Sequence, residues 1–184
     1  MISRVDRSVE QLVDEILVMD CQSGRVKALE MLVSRWQKQL WQYAFHMTGD
    51  SDAAWDITQE SWLGIIKGIR KLHDPANFRA WAYRITTNKA INWINKRKAI
   101  NEVIIEEIQD HQYEAKKDIG LKELLEKVDI NKQVVIRLYY FEQLSVSEIS
   151  VALKIPDGTV KSRLAGARRK LKELYEQHFE QTFT

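Results

Sequence analysis

Between Val151 and Lys172 the chain carries Lys154, Lys161, Arg163, Arg168, Arg169, Lys170 and Lys172 against a single acid, Asp157. Cations at this density attract phosphates, and side chains at the centre of such a stretch can reach base edges in a groove. On a helix beginning near Asp157, Ser162, Ala165, Gly166 and Arg169 project to one side, flanked by Thr159, Lys161, Arg163 and Lys170. The small residues at the apex let the backbone approach a groove floor. A solvated helix in a bundle would also turn Lys and Arg outward, but it would require neither the break at Pro156 nor the small apex.

Two other polar sets have helical spacing. Asp56, Gln59 and Glu60 share one side of a helix beside Trp62, a pattern that suits docking onto a basic partner helix and equally suits an ordinary wet face. Asn88 and Asn92 lie one turn apart, continuing the face of Trp81 and Ile85 with amides. Asparagine can pair with a base edge, and Lys89, Lys96 and Arg97 can hold a nucleic-acid backbone. Trp81, Tyr83 and Trp93 could stack on bases; for Trp81 the competing role is the core.

Catalytic chemistry has no comparable set. His46, His73, His111 and His178 are dispersed, and only Glu107 with His111 pairs a carboxylate and an imidazole at helical spacing. There is no phosphate loop, nucleophile elbow or metal signature. Neither an enzyme nor a cofactor or metal is expected.

The basic set requires two helices meeting at a turn. Ser145 and Glu148 fit a capping box, and Val146, Ile149, Ala152 and Leu153 follow at helical spacing, predicting a helix over 146–153. Pro156 breaks it, and Asp157 is a suitable N-cap for the restart. Val160, Leu164, Ala167 and Leu171 then form a narrow apolar stripe. Upstream, Val9 to Met19, a stripe from Leu29 to Met47 ending at Gly49, and Asp52 to Ile69 read as helices. The last uses Ala54, Ile57, Ile65, Ile66 and Ile69. Asp74 and Pro75 start a further helix, Asn77 to Lys98, whose Lys96, Arg97 and Lys98 suit a C-terminus. Leu121, Leu124, Leu125, Val128, Val134, Val135, Leu138 and Phe141 begin a second core.

Seven glycines and two prolines in 184 residues agree with an all-α chain. The net charge of +2 is unevenly distributed: Glu102, Glu106, Glu107, Asp110, Glu114 and Asp118 outnumber Lys116 and Lys117 between Ala99 and Gly120. The expected organisation is therefore a helical domain over 1–98, an acidic linker over 99–120 and a helix-turn-helix domain over 121–184. A lone Cys21 offers no internal disulfide. The charged first twenty residues have no apolar core of a signal peptide, so none is expected, and no run approaches the roughly 18 apolar residues of a membrane span. A cytoplasmic protein without stable membrane insertion is expected.

Taken together, these segments resemble the bacterial extracytoplasmic-function (group IV) sigma factors of the sigma-70 family, which have regions 2 and 4 only. GDSDAAWDITQESWL is similar to the family's core-binding segment, FRAWAYRITTNKAINWINKR to its promoter-melting helix, and LSVSEISVALKIPDGTVKSRL to its region 4 signature. The resemblance implies an initiation factor that directs core RNA polymerase to promoter DNA. Asp56, Gln59 and Glu60 would bind the beta-prime clamp helices, and the beta flap would be a second polymerase contact. Asn88 and Asn92, with Lys89, Lys96 and Arg97, would serve the −10 element, a base being captured near the loop Lys71 to Asn77. Thr159, Lys161, Ser162, Arg163 and Arg169 would serve the −35 element. The acidic linker would enter the polymerase channels, and an anti-sigma factor would be a further partner. Three positions depart from the family pattern: Gly166 replaces a large, often basic residue, Lys154 replaces the turn glycine, and Trp55 replaces a common acid. The alternative is a stand-alone helix-turn-helix regulator, which would leave the Asp56 and Asn88 sets unexplained.

Overall fold

The computed structural model describes residues 9–107 and 121–182, and every regular element among them is helical. The chain forms two compact units, residues 1–91 and 92–184. Helices α1 (Val9–Gln22), α2 (Val26–Thr48) and α3 (Ser51–Gly68) are followed by 3₁₀ turns at Ile69–Lys71 and Pro75–Asn77, then α4 (Phe78–Glu107). The second unit contains α5 (Leu121–Glu126), α6 (Ile130–Ile136), a π turn at Arg137–Phe141, α7 (Val146–Leu153) and α8 (Asp157–Thr182).

The first unit is organised around aromatic rings. Trp36 of α2 meets Phe78 and Tyr83 edge-on, with centroids 5.5 and 6.0 Å apart, and Tyr43 meets Tyr83 at 5.2 Å. Edge-to-face packing sets the positive rim of one ring against the negative face of another, which stabilises beyond simple area burial. The buried Tyr43 hydroxyl and Thr87 Oγ1 are 2.7 Å apart, satisfying both groups away from water. α1 completes this core: Leu17, Val18 and Cys21 are buried, and Arg35 Nε donates to the buried Asp14 carboxylate at 2.8 Å. Burial, followed by the charge of Asp20, pushes the Cys21 thiol above its ordinary pKa, so it is kept protonated.

α2 ends as its sequence predicts. Gly49 adopts φ 68°, in the left-handed region, and its N–H closes on the Phe45 carbonyl. Asp50 then caps α3, accepting from the N–H groups of Asp52 and Ala53 at 3.1 and 3.0 Å. Ile66, expected in the α3 stripe, is exposed; the inner face instead continues through Thr58, Ser61 and Trp62. The small hydroxyls fit there because each bonds the carbonyl four residues back, Ala54 and Ile57 respectively, at 2.7 Å.

α4 does not end at Lys98 but continues to Glu107. No glycine or proline follows until Gly120, so nothing in the local chain stops it, and the acids Glu102, Glu106 and Glu107 are helical.

In the second unit Leu124, Leu125, Val128, Val134, Val135, Leu138, Leu144, Ile149, Val160, Leu164 and Ala167 are buried. Phe141, expected among them, is 41% exposed because the π turn rotates the chain after Leu138. Two residues here other than glycine lie at positive φ, Gln143 at 53° and Lys154 at 55°.

Candidate functional site

The α3 face presents Asp56, Gln59 and Glu60 to solvent, as their spacing predicts. Trp62, expected beside them on the docking face, is instead buried at 8% exposure, and Trp55 and Leu63 are the exposed apolar residues of this helix near the acids, at 44% and 57%. Leu63 lies three and four residues beyond Glu60 and Gln59, so its place on their side could have been read from spacing alone. Glu60 is tied to the next helix: Lys89 Nζ donates to its Oε2 at 2.8 Å. A residue of the expected polymerase-binding set thus meets one of the expected −10 set, which no local pattern indicated.

On α4, Asn88 and Asn92 are both exposed one turn apart, and Lys96 and Arg97 are exposed further along. Neither Tyr83 nor Trp81 is free to stack on bases. Tyr83 is only 2% exposed inside the ring cluster, and the Trp81 indole packs over Gly68, where a Cβ would come within 2.8 Å of Cζ2. Trp93 is half-buried, with the Arg97 guanidinium 4.9 Å above its ring centroid in a cation–π arrangement. The loop before α4 is held at both ends. Gln22 Nε2 donates to the carbonyls of Ile69 and Leu72 at 3.0 and 2.8 Å, and Asp74 accepts from the Ala76 N–H at 3.0 Å.

α7 and α8 form the expected helix-turn-helix. Ser145 Oγ accepts from the Glu148 N–H at 3.2 Å, while Glu148 Oε2 accepts from the Ser145 N–H at 2.8 Å, a complete capping box. The turn after α7 passes through Lys154 in the left-handed region, so a side chain occupies a conformation that favours glycine. Ser150 Oγ supports the turn by donating to the Ile155 carbonyl at 2.6 Å. Asp157 is the first residue of α8 and not its cap; the Pro156 carbonyl accepts from the Thr159 and Val160 N–H groups. Asp157 therefore acts on the helix start through its charge.

Val160, Leu164 and Ala167 are buried and Leu171 is half-buried, which turns Lys161, Ser162, Ala165 and Arg169 outward, with Thr159 and Arg163 half-buried on the shoulder. The Ser162 hydroxyl donates to the Thr159 carbonyl at 3.0 Å. Three of the seven basic residues have partners within the unit. Arg168 Nε donates to the Tyr140 hydroxyl at 2.8 Å, and Lys170 and Lys172 lie 3.6 and 3.5 Å from Glu173 and Glu176. Gly166, expected at the open apex, is half-buried, with Lys132 of α6 over it. On another side of this unit Leu125, Ile136, Tyr140, Phe141, Arg168 and Leu171 line an apolar groove of about 400 Å³.

Among the described residues no group of three His, Cys, Asp or Glu side chains could hold a metal ion, and no helix is long and apolar enough to cross a membrane. The Glu107–His111 pairing lies outside the described residues at His111.

Comparison with known proteins bears on both units. Residues 32–100 match Sigma-70 region 2 and residues 120–171 match Sigma-70, region 4, together more than half of the chain. The chain is similar to the ECF RNA polymerase sigma-E factor of Haemophilus influenzae, 29% identical over 182 residues that cover 86% of this chain and 93% of that one. The ECF RNA polymerase sigma factor SigE of Mycolicibacterium smegmatis is 24% identical over 82% of this chain, and the match spans 63% of that relative's length. Among solved structures, CnrH in complex with the cytosolic domain of CnrY is similar with a TM-score of 0.71 and 25% identity, covering 90% of this chain and 98% of that one. The sigma factor RpoE of Bartonella quintana, in complex with the anti-sigma factor NepR, shares the fold with a TM-score of 0.63 at 21% identity over 82% of this chain and 98% of that one. With an acid-bearing helix and an amide-bearing helix in one matched region and a capped helix-turn-helix in the other, this chain belongs to the sigma-70 family, as an ECF sigma factor built from region 2 and region 4.

Proposed function

We propose that the protein is a dissociable initiation subunit that binds core RNA polymerase, places it on a two-part promoter and helps to open the upstream edge of the bubble. Residues 1–98 act as region 2, 99–120 as an acidic connector and 121–184 as region 4. The observation that carries this reading is one chain bearing two unlike polar faces. One is acidic, on α3, with Asp56, Gln59 and Glu60 exposed; the other is basic, on α8, with Lys161, Ser162 and Arg169 exposed. A stand-alone regulator needs only the second.

The division of work follows from chemistry. Asp56, Gln59 and Glu60 meet the basic clamp helices of beta-prime, with Leu63 adding apolar area at their edge. Asn88 and Asn92 present amides to unpaired bases at the −10 element, while Lys89, Lys96 and Arg97 neutralise phosphates. Capturing a base offsets an unstacking cost of a few kcal/mol. Thr159, Lys161, Ser162, Arg163 and Arg169 hold the −35 duplex, each good bidentate base contact contributing roughly 1–3 kcal/mol. The apolar groove beside Tyr140 and Phe141 suits a helix of the beta flap. An anti-sigma factor is a further partner, a reading supported by the fold shared with RpoE of Bartonella quintana, solved with the anti-sigma factor NepR.

Run-off transcription with purified core polymerase on genomic fragments tests the reading. Defined start sites should appear only when both proteins are present, and mobility shifts should show tight promoter binding only with core. Tight operator binding by the chain alone, with no start site, would identify a regulator instead. Asn88→Ala should lower open-complex formation while leaving core binding intact; parallel loss of both with a lower melting temperature would assign Asn88 to the core.

A further inference from the structure

α6 is a short helix whose orientation is set from within. Asp129 caps it by accepting from the Asn131 N–H at 3.0 Å, and Gln133, Val134, Val135 and Ile136 are buried. This leaves Lys132 half-buried at the edge of α8. Its side chain crosses the recognition helix at Gly166: a Cβ built there would lie 3.5 Å from Lys132 Cε and 4.0 Å from Nζ. The end of the lysine, Cε and Nζ, thus lies over the position on α8 that carries no side chain, beside the exposed face of Ser162 and Arg169. Ser162 and Arg163 lie one turn to one side of this level, and Arg169 and Lys170 one turn to the other.

Lys132 has no carboxylate partner among the described residues, whereas Arg168, Lys170 and Lys172 meet Tyr140, Glu173 and Glu176. A long cationic side chain that packs its stem and projects an unpaired head is held by shape and not by a counter-charge. A Cβ at 166 would only touch the lysine at ordinary contact distance, whereas a long side chain there would compete for the same ground. At the level of Gly166, α8 itself offers no side-chain cation.

We propose that Lys132 is a phosphate contact of the DNA-reading face, supplied by α6 to the stretch of α8 that Gly166 leaves uncharged. The proposal rests on the reading of α8 as the promoter-contacting helix. A point charge on the shoulder meets the backbone at the groove rim, not the base edges, so its contribution is independent of the −35 sequence.

The test uses the full chain with core polymerase on a genomic fragment that supports run-off, with affinity measured against salt. Lys132→Ala should reduce the slope of log affinity against log salt by about one, so that the loss between about 50 and about 200 mM salt becomes about fourfold smaller. The change should be the same on −35 variants of the fragment. Lys132→Arg should keep the parent slope, and Gly166→Lys in the Lys132→Ala background should restore it by returning the charge from α8. An unchanged slope for Lys132→Ala, while Lys161→Ala and Arg169→Ala weaken binding, would overturn the role of Lys132 and leave the α8 reading standing. No effect from any of the three would overturn the α8 reading itself. A loss confined to one −35 sequence would make Lys132 a base reader and refute the phosphate role. Equal melting temperatures of Lys132→Ala and the parent would separate these outcomes from unfolding.

Discussion

The two units end helices by the same backbone device but use different residues, and they place their aromatic rings on opposite sides of the surface. In the first, α2 closes on Gly49 at φ 68°, and Trp36, Tyr43, Phe78 and Tyr83 are buried together. In the second, α7 closes on Lys154 at φ 55°, Gln143 follows the π turn at 53°, and Tyr140 and Phe141 line an open groove. The first unit therefore gains stability from ring packing and an unstrained cap. The second carries side chains in a conformation that costs about 1 kcal/mol or more per residue, and leaves its rings available to a partner.

The largest effect should come from emptying the ring cluster. Phe78→Ala should destabilise the first unit by about 3–5 kcal/mol in urea titration, because it loses both transfer energy and edge-to-face contacts. Phe141→Ala, at a ring already 41% exposed, should cost clearly less, about 1 kcal/mol. Similar losses for the two would erase the contrast between buried and displayed rings. Next, Thr87→Val removes the 2.7 Å hydroxyl partner of the buried Tyr43 and should cost about 1–3 kcal/mol, part of it regained when Tyr43→Phe is added. Failure of the double variant to recover would show that the cavity, not the hydrogen bond, dominates.

The caps provide an opposed pair. Gly49→Ala should destabilise by about 1 kcal/mol, whereas Lys154→Gly should stabilise by up to about 1 kcal/mol, the freer unfolded chain offsetting part of the gain. Thermal melts in which both substitutions shift Tm the same way would refute the strain assigned to Lys154. The smallest effect belongs to Glu60 and Lys89. A double-mutant cycle should give a coupling of about 0.2–1 kcal/mol that shrinks as salt is raised, since the Glu60 side chain is 59% and that of Lys89 39% exposed. A coupling insensitive to salt would mean the pair is shielded from water.

Much of the local architecture was legible because it depends on neighbours in the chain. The Ser145–Glu148 capping box, the stop at Gly49 and the Val160, Leu164, Ala167 stripe each need only a few consecutive turns. The expected end of α4 at Lys98 was misjudged because three basic residues suit a C-terminus but do not enforce one, and no breaker follows. Phe141 departs because of the π turn at Arg137–Phe141, which no hydropathy pattern signals, and Ile66 and Trp62 depart for another reason. Hydropathy cannot distinguish an apolar residue inside a stripe from one beside it when small hydroxyls such as Thr58 and Ser61 can bond their own helix and be buried instead.

The stop at Gly49, the Ser145–Glu148 box, the outward facing of Asp56, Gln59 and Glu60 and the charge of the α8 face were set by sequence alone, since they follow from helical periodicity and residue chemistry over short distances. That Glu60 meets Lys89, Arg168 is held by Tyr140 and Lys132 lies over Gly166 depends on packing. Each of these joins residues on different helices, 28 to 34 positions apart, and side chains so distant are paired by how helices pack, which no local spacing encodes.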